Sequence, residues 1–228
     1  MDNSSGIHSN RSGFLFQELL KGEVPDSGKR KSFRKGDYVF EEGNSANGLY
    51  CILSGKVKIS RLGESGKEQI VRLAGTRDVI GYRALLSSGR YRASAIALEE
   101  TQVGFVSKTV FFDTITNKPE MALQMLKLLS QDLEQSESRM VDIATKSVRE
   151  RVAEMLIVLK ETYGFEPDGQ TLAAHLSRED LAGMVGAAKE VVIRCLATFK
   201  EEEMIEARGR TMKLLNVKGL LRTAKLEG

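Results

Sequence analysis

Tryptophan is absent from this 228-residue chain, cysteine and histidine occur twice each, and proline three times. Cysteines as far apart as Cys51 and Cys195 cannot form a disulfide framework, a four-cysteine zinc site or an iron–sulfur site within one chain. Each is read as a packing residue. The histidines, His8 in a polar N-terminal stretch and His175, are too few for a multi-histidine metal centre. No apolar run approaches the roughly 18 residues that span a bilayer. Residues Met1 to Gly13 lack the apolar core of a secretory signal. A cytoplasmic location and no membrane partner are therefore expected. No nucleophile–base set or metal-ligand spacing stands out, so an enzyme is not expected.

What the chain does have is 41% hydrophobic and 29% charged residues, enough for a packed core, at a net charge of only +3. At roughly 100–200 residues per domain this is one large domain or two small ones.

Three regions differ in pattern. From about Phe33 to Phe112, short runs such as Tyr38-Val39-Phe40, Leu49-Tyr50-Cys51-Ile52-Leu53 and Gln69-Ile70-Val71-Arg72-Leu73 are rich in β-branched and aromatic residues. Glycines punctuate them, which predicts a small β sandwich or barrel. From Pro119 a stripe runs Ala122, Leu126, Leu129, Leu133, Ser136, Met140, Ile143, Ser147 in steps of four and three. That spacing is a heptad seam and predicts a long helix that pairs with a second copy. A second apolar row, Met121, Met125 and Leu128, is confined to the first half, which is expected to pack on the β region as well. From about Val148 the pattern is mostly helical, ending in a predicted hairpin around Arg208-Gly209-Arg210.

The sharpest local signal is the segment Leu176 to Leu196. Ser177 with Asp180 three residues on is a capping-box start. Leu181, Met184 and Val185 form one inner face, Gly186 permits a sharp turn, and Val192, Cys195, Leu196 and Phe199 form a second inner face. The pattern reads as a helix-turn-helix. Lys189, Glu190, Ile193 and Arg194 point outward near the start of the second helix, where a major-groove reader carries its contacts. An ordinary helical hairpin with a charged face is the alternative. From Ala207 to Leu226 the basic residues Arg208, Arg210, Lys213, Lys218, Arg222 and Lys225 occur with no acid, as suits phosphate contact.

Together these features resemble the CRP/FNR family of bacterial transcription regulators from about Phe14 onward. The segment Leu176 to Leu196 and the hairpin Ile205 to Leu215 carry most of the resemblance. The turns Arg34-Lys35-Gly36-Asp37, Phe40-Glu41-Glu42-Gly43 and Leu53-Ser54-Gly55-Lys56-Val57 add to it. The fold implied is α+β: an effector-sensing β-roll (14–116), a dimerisation helix (117–147) and a winged helix-turn-helix (148–228). The implied partners are double-stranded DNA carrying an inverted repeat, a second copy of the chain, and RNA polymerase. Leu126, Leu129, Leu133, Ser136, Met140 and Ile143 are the expected dimer contacts. Lys189, Glu190, Ile193, Arg194, Arg208 and Arg210 are the expected DNA contacts. One departure is Ala187-Ala188, where the family often places a small hydroxyl residue.

The resemblance also implies a small effector in the β-roll. In the cyclic-AMP-binding members, a Gly-Glu-Leu segment supplies a glutamate to the ribose, and a downstream arginine next to a small hydroxyl residue takes the phosphate. The matching stretch here is Gly81-Tyr82-Arg83, then Arg92-Ala93-Ser94. The arginine is kept, but Tyr82 replaces the glutamate and Ala93 the hydroxyl residue. Cyclic AMP is thus disfavoured, and another small anionic effector, or none, is expected. The candidate effector residues are Gly81, Tyr82, Arg83, Arg92 and Ser94, with Ser136 and Glu137 of the long helix added by resemblance. An ion pair is the alternative role for Arg92. The cysteine cluster of the oxygen-sensing members is missing. So is a β-roll or long-helix histidine of the kind used by haem-sensing members. A ligand-binding module acting through a protein partner is the alternative function.

Overall fold

The computed structural model describes residues 30–226 apart from Ser65. The expected β-roll start at residue 14, and His8, lie outside them. The chain divides into two compact units with the boundary between Glu134 and Gln135.

The first unit is built on two four-stranded antiparallel sheets. One has the order β1 (Arg30–Phe33), β8 (Thr101–Ser107), β3 (Gly48–Ser54), β6 (Val79–Ile80). The other has the order β2 (Tyr38–Phe40), β7 (Ser94–Ala97), β4 (Val57–Leu62), β5 (Glu68–Ala74). Leu49, Cys51 and Ile52 of the inner strand β3 are fully buried, which explains why this run is continuously apolar rather than alternating. Burial pushes the Cys51 thiol up to about 12, so it is a packing residue and not a thiolate.

A short helix α1 (Tyr82–Leu86) follows β6, and α2 (Lys108–Asn117) follows β8. The β pattern therefore stops earlier than the sequence suggested: Lys108 to Phe112 is helical, although Thr109, Val110, Phe111 and Phe112 all favour strands. A cap and a core contact override that preference. Ser107 accepts a hydrogen bond from the Val110 N–H, and Phe111 is fully buried.

Helix α3 runs over Pro119–Thr145, beginning at the proline as expected. Met121, Met125 and Leu128 lie in the core of the first unit, with Leu129 partly buried against it. Leu126, Leu133, Met140 and Ile143 are each more than half exposed. The last seam position, Ser147, has left the helix. Its hydroxyl caps α4 (Val148–Tyr163), with Glu150 completing a capping box.

In the second unit, α4 buries nearly all of its middle, Val152 to Leu159. Helices α5 (Arg178–Val185) and α6 (Lys189–Glu201) form the helix-turn-helix. The strands β9 (Ile205–Arg208) and β10 (Thr211–Leu214) pair antiparallel with Arg208 opposite Thr211, and α7 (Val217–Thr223) follows. No helix among the described residues is long and apolar enough to cross a membrane.

Candidate functional site

Two places concentrate polar side chains, one in each unit. In the first unit they face inward. Gly81 adopts a left-handed φ of 86°, and a Cβ there would meet the Tyr91 ring at 3.2 Å, so glycine is needed at this turn. The turn starts α1 and sends Tyr82 into the core. Tyr82 is 1% exposed, and its hydroxyl donates to Asp132 Oδ2 of α3 at 2.6 Å. Arg83 Nε lies 3.9 Å from the same carboxylate oxygen, with most of its side chain in solvent. Beside them Arg72 of β5 reaches Asp78 Oδ1 at 3.3 Å, an ion pair without hydrogen-bond geometry at Nη2. Asp78 is itself fully buried and also accepts from the Gly75 N–H at 2.8 Å.

These groups hold one another. Burial acts to lower the Arg72 guanidinium, but the carboxylate of Asp78 first, with that of Asp132, outweighs it and holds it above its usual value. Burial pushes the Tyr82 phenol well above its usual value, so it stays protonated and can donate to Asp132. The cluster is a cation between two carboxylates with a tyrosine as the bridge.

The other expected effector residues are not among these buried groups. Arg92 is exposed on the bend ahead of β7. Ser94 Oγ accepts from the Glu42 N–H at 3.0 Å. Ser136 and Glu137 are exposed positions of α3, beyond the boundary between the units. Arg72, Asp78 and Asp132 were not singled out from the sequence. No local spacing joins residues 72, 82 and 132; only the sheet and helix packing does.

In the second unit the polar groups face outward. Ser177 and Asp180 make the predicted capping box at α5. Gly186 closes that helix with the sharp turn that the sequence anticipated, in the left-handed conformation with φ 68° and ψ 42°. Helix α6 then buries Val192, Leu196 and Phe199 and leaves Lys189, Glu190, Ile193 and Arg194 exposed. Cys195 is half-buried. Ala188, the cap residue, makes no side-chain capping bond, as its methyl group dictates. Lys189 Nζ is paired with Glu179 of α5. Each holds the other charged: Lys189 keeps the Glu179 carboxyl below its ordinary value, and Glu179 raises the lysine.

Behind α6, Arg149 of α4 lies over the Phe199 ring at 4.7 Å and binds Glu202 at 2.6 Å, fixing the end of the helix. At the hairpin turn Arg208 and Arg210 are exposed. Two cations of the basic stretch are engaged internally. Lys213 lies 3.3 Å from Asp168, and Lys225 lies 2.6 Å from Glu150. The sequence could not reveal this, because both partners sit in earlier segments. Among the described residues no cluster of His, Cys, Asp and Glu could hold a metal ion.

The comparisons with known proteins agree with this geometry. Residues 30–118 match the cyclic nucleotide-binding domain family, and residues 150–223 match the Crp-like helix-turn-helix domain family. A β-roll of the first kind joined to a domain of the second defines a class of DNA-binding transcription regulators. The "CRP-like cAMP-activated global transcriptional regulator" of Mycobacterium tuberculosis is 30% identical over 194 residues, 85% of this chain and 87% of that protein. The "Global nitrogen regulator" of Synechococcus elongatus is 29% identical, covering 89% of this chain and 91% of that protein. Among solved structures, FixK2 from Bradyrhizobium japonicum has the same fold, with a TM-score of 0.74 at 24% identity over 85% of this chain and 96% of that one. The chain belongs to the CRP/FNR family of transcription regulators.

Proposed function

We propose that the protein is a homodimer that binds an inverted-repeat DNA site through α6 and the β9–β10 hairpin, and that its β-roll does not take cyclic AMP. The observation that carries the DNA reading is the outward face of α6 within a Crp-like helix-turn-helix, flanked by the exposed Arg208 and Arg210. Glu190 and Arg194 are one turn apart, so they share a face. A carboxylate accepts from cytosine N4, and a guanidinium donates twice to guanine O6 and N7. Arg208 and Arg210 suit phosphates, which position a protein on DNA without reading sequence. RNA polymerase is the proposed protein partner, by family.

The dimer is supported by the exposed heptad positions of α3. Leu126 and Leu133 are 63% and 60% exposed, which a lone soluble helix has no reason to present in register. The β-roll proposal is supported by Tyr82 and Asp132. The hydroxyl that stands in place of the family's ribose-binding glutamate is already bound to a carboxylate, and that carboxylate repels a phosphate.

Selection of binding sites from random duplexes tests the DNA reading. The recovered sites are expected to be inverted repeats with half-sites about 34 Å apart, one helical turn. Selected sites without that symmetry would sink it. Micromolar or tighter binding of cyclic AMP in calorimetry would sink the β-roll part alone.

A further inference from the structure

Helix α6 presents two rows of side chains four residues apart. One row is Glu190 and Arg194; the other is Lys189, Ile193 and Ala197, all exposed. In the second row the only charged group, Lys189, is drawn toward Glu179 of α5. What that row offers outward is therefore apolar: an isoleucine 41% exposed, with the Ala197 methyl one turn on.

The helix does not need isoleucine there for its own packing. Its inner face is already complete with Val192, Leu196 and Phe199 buried. A β-branched residue is a poorer helix former than lysine, glutamate or glutamine, and its exposed surface gains nothing from water. Placed against a major groove, that surface has one chemical match. Among base edges only thymine presents an apolar group, its C5 methyl, while the others present hydrogen-bond donors and acceptors.

We propose that Ile193 is a specificity-determining residue that packs on the C5 methyl of a thymine in each half-site, in the base step next to the pair contacted by Glu190 and Arg194. The inference rests on the reading of α6 as the DNA-contacting helix. It adds a base, thymine, that the hydrogen-bonding residues do not specify. Successive residues on α6 advance about 1.5 Å along the helix axis and turn through about 100°. Ile193 is therefore beside Arg194 without sharing its direction, as contact with a neighbouring base step requires.

The test removes one methyl group at a time. A duplex bearing a selected site is remade with each half-site thymine replaced by deoxyuridine, and affinities are measured at fixed salt. One position should weaken wild-type binding about four-fold per half-site, the value of one buried methyl group. Ile193→Ala should bind the thymine and uracil duplexes equally, Ile193→Val should keep most of the discrimination, and Arg194→Ala should keep all of it. Wild-type protein indifferent to every such replacement would overturn the proposal. So would an Ile193→Ala protein that still discriminates. The underlying reading fails in a different way: Glu190→Ala, Ile193→Ala and Arg194→Ala would then all bind DNA like wild type.

Discussion

The two units of this chain use polar side chains in opposite ways. The β-roll turns Arg72, Asp78, Tyr82 and Asp132 inward, where each has a partner. The helix-turn-helix buries little that is polar beyond its own capping Asp180 and turns Glu190, Arg194, Arg208 and Arg210 outward. In the first case the chain satisfies its own charges. In the second it holds hydrogen-bonding groups ready for another molecule. A buried polar cluster with mutual partners fixes conformation; an exposed one with preset geometry recognises.

The largest expected effect is on the surface that joins neither description, the α3 seam. Leu133→Asp would put two carboxylates at the two-fold axis. We expect dimer association at least about 5,000-fold weaker in sedimentation, roughly 5 kcal/mol, because each dimer would bury two unpaired charges. An unchanged mass distribution would remove the seam from the interface.

Next comes the inward cluster. Arg72→Met leaves Asp78 buried without its ion-pair partner and should lower stability by about 3–5 kcal/mol in urea unfolding. Tyr82→Phe removes one hydrogen bond from a buried carboxylate and should lower it by about 1–3 kcal/mol. Equal, negligible effects of the two would mean that the cluster holds nothing together.

The outward groups separate into readers and positioners. Arg194→Ala should weaken cognate binding by about 1–3 kcal/mol and relax preference at one base pair. Arg208→Ala should weaken all sequences alike and flatten the salt dependence by about 0.9 in the log–log slope. The comparison between the units sharpens further if Arg72→Met leaves base preference untouched while Arg194→Ala leaves unfolding untouched.

The smallest effect is pH-dependent. Lys225 first, and then the Ser147 cap, hold the Glu150 carboxyl down at about 2. Because the folded value lies below the ordinary one, the contribution is present above about pH 4.5 and fades as pH falls toward 2. Melting temperatures of wild type and Glu150→Gln should therefore differ at pH 6 and converge by pH 2–3. A constant gap across that range would contradict the assignment.

How much could be read in the sequence follows from how far apart the cooperating residues are. The helix-turn-helix was legible because its signals are local: Ser177 and Asp180 are three residues apart, Gly186 marks the turn, and the buried face of α6 repeats within one helix. The long helix α3 was legible for the same reason, since Pro119 and the heptad repeat lie within one segment. The β-roll cluster was not, because Arg72 and Asp132 come from a strand and a helix sixty residues apart. The pairing of Lys213 and Lys225 with acids of earlier segments was hidden in the same way. Lys108 to Phe112 misled because strand propensity is averaged over contexts, whereas Ser107 and Phe111 act at one place.

The bond between Tyr82 and Asp132 also constrains how this chain can change over generations. A single exchange of Tyr82 for glutamate would set two carboxylates against each other in a buried site. An exchange of Asp132 for a neutral residue would strand the tyrosine hydroxyl and part of the Arg72 charge. Either step alone passes through a less stable protein, so the two positions are expected to change together or not at all. Related chains that keep tyrosine at the first position should keep an acid at the second, and laboratory evolution toward a nucleotide sensor should recover paired substitutions before single ones.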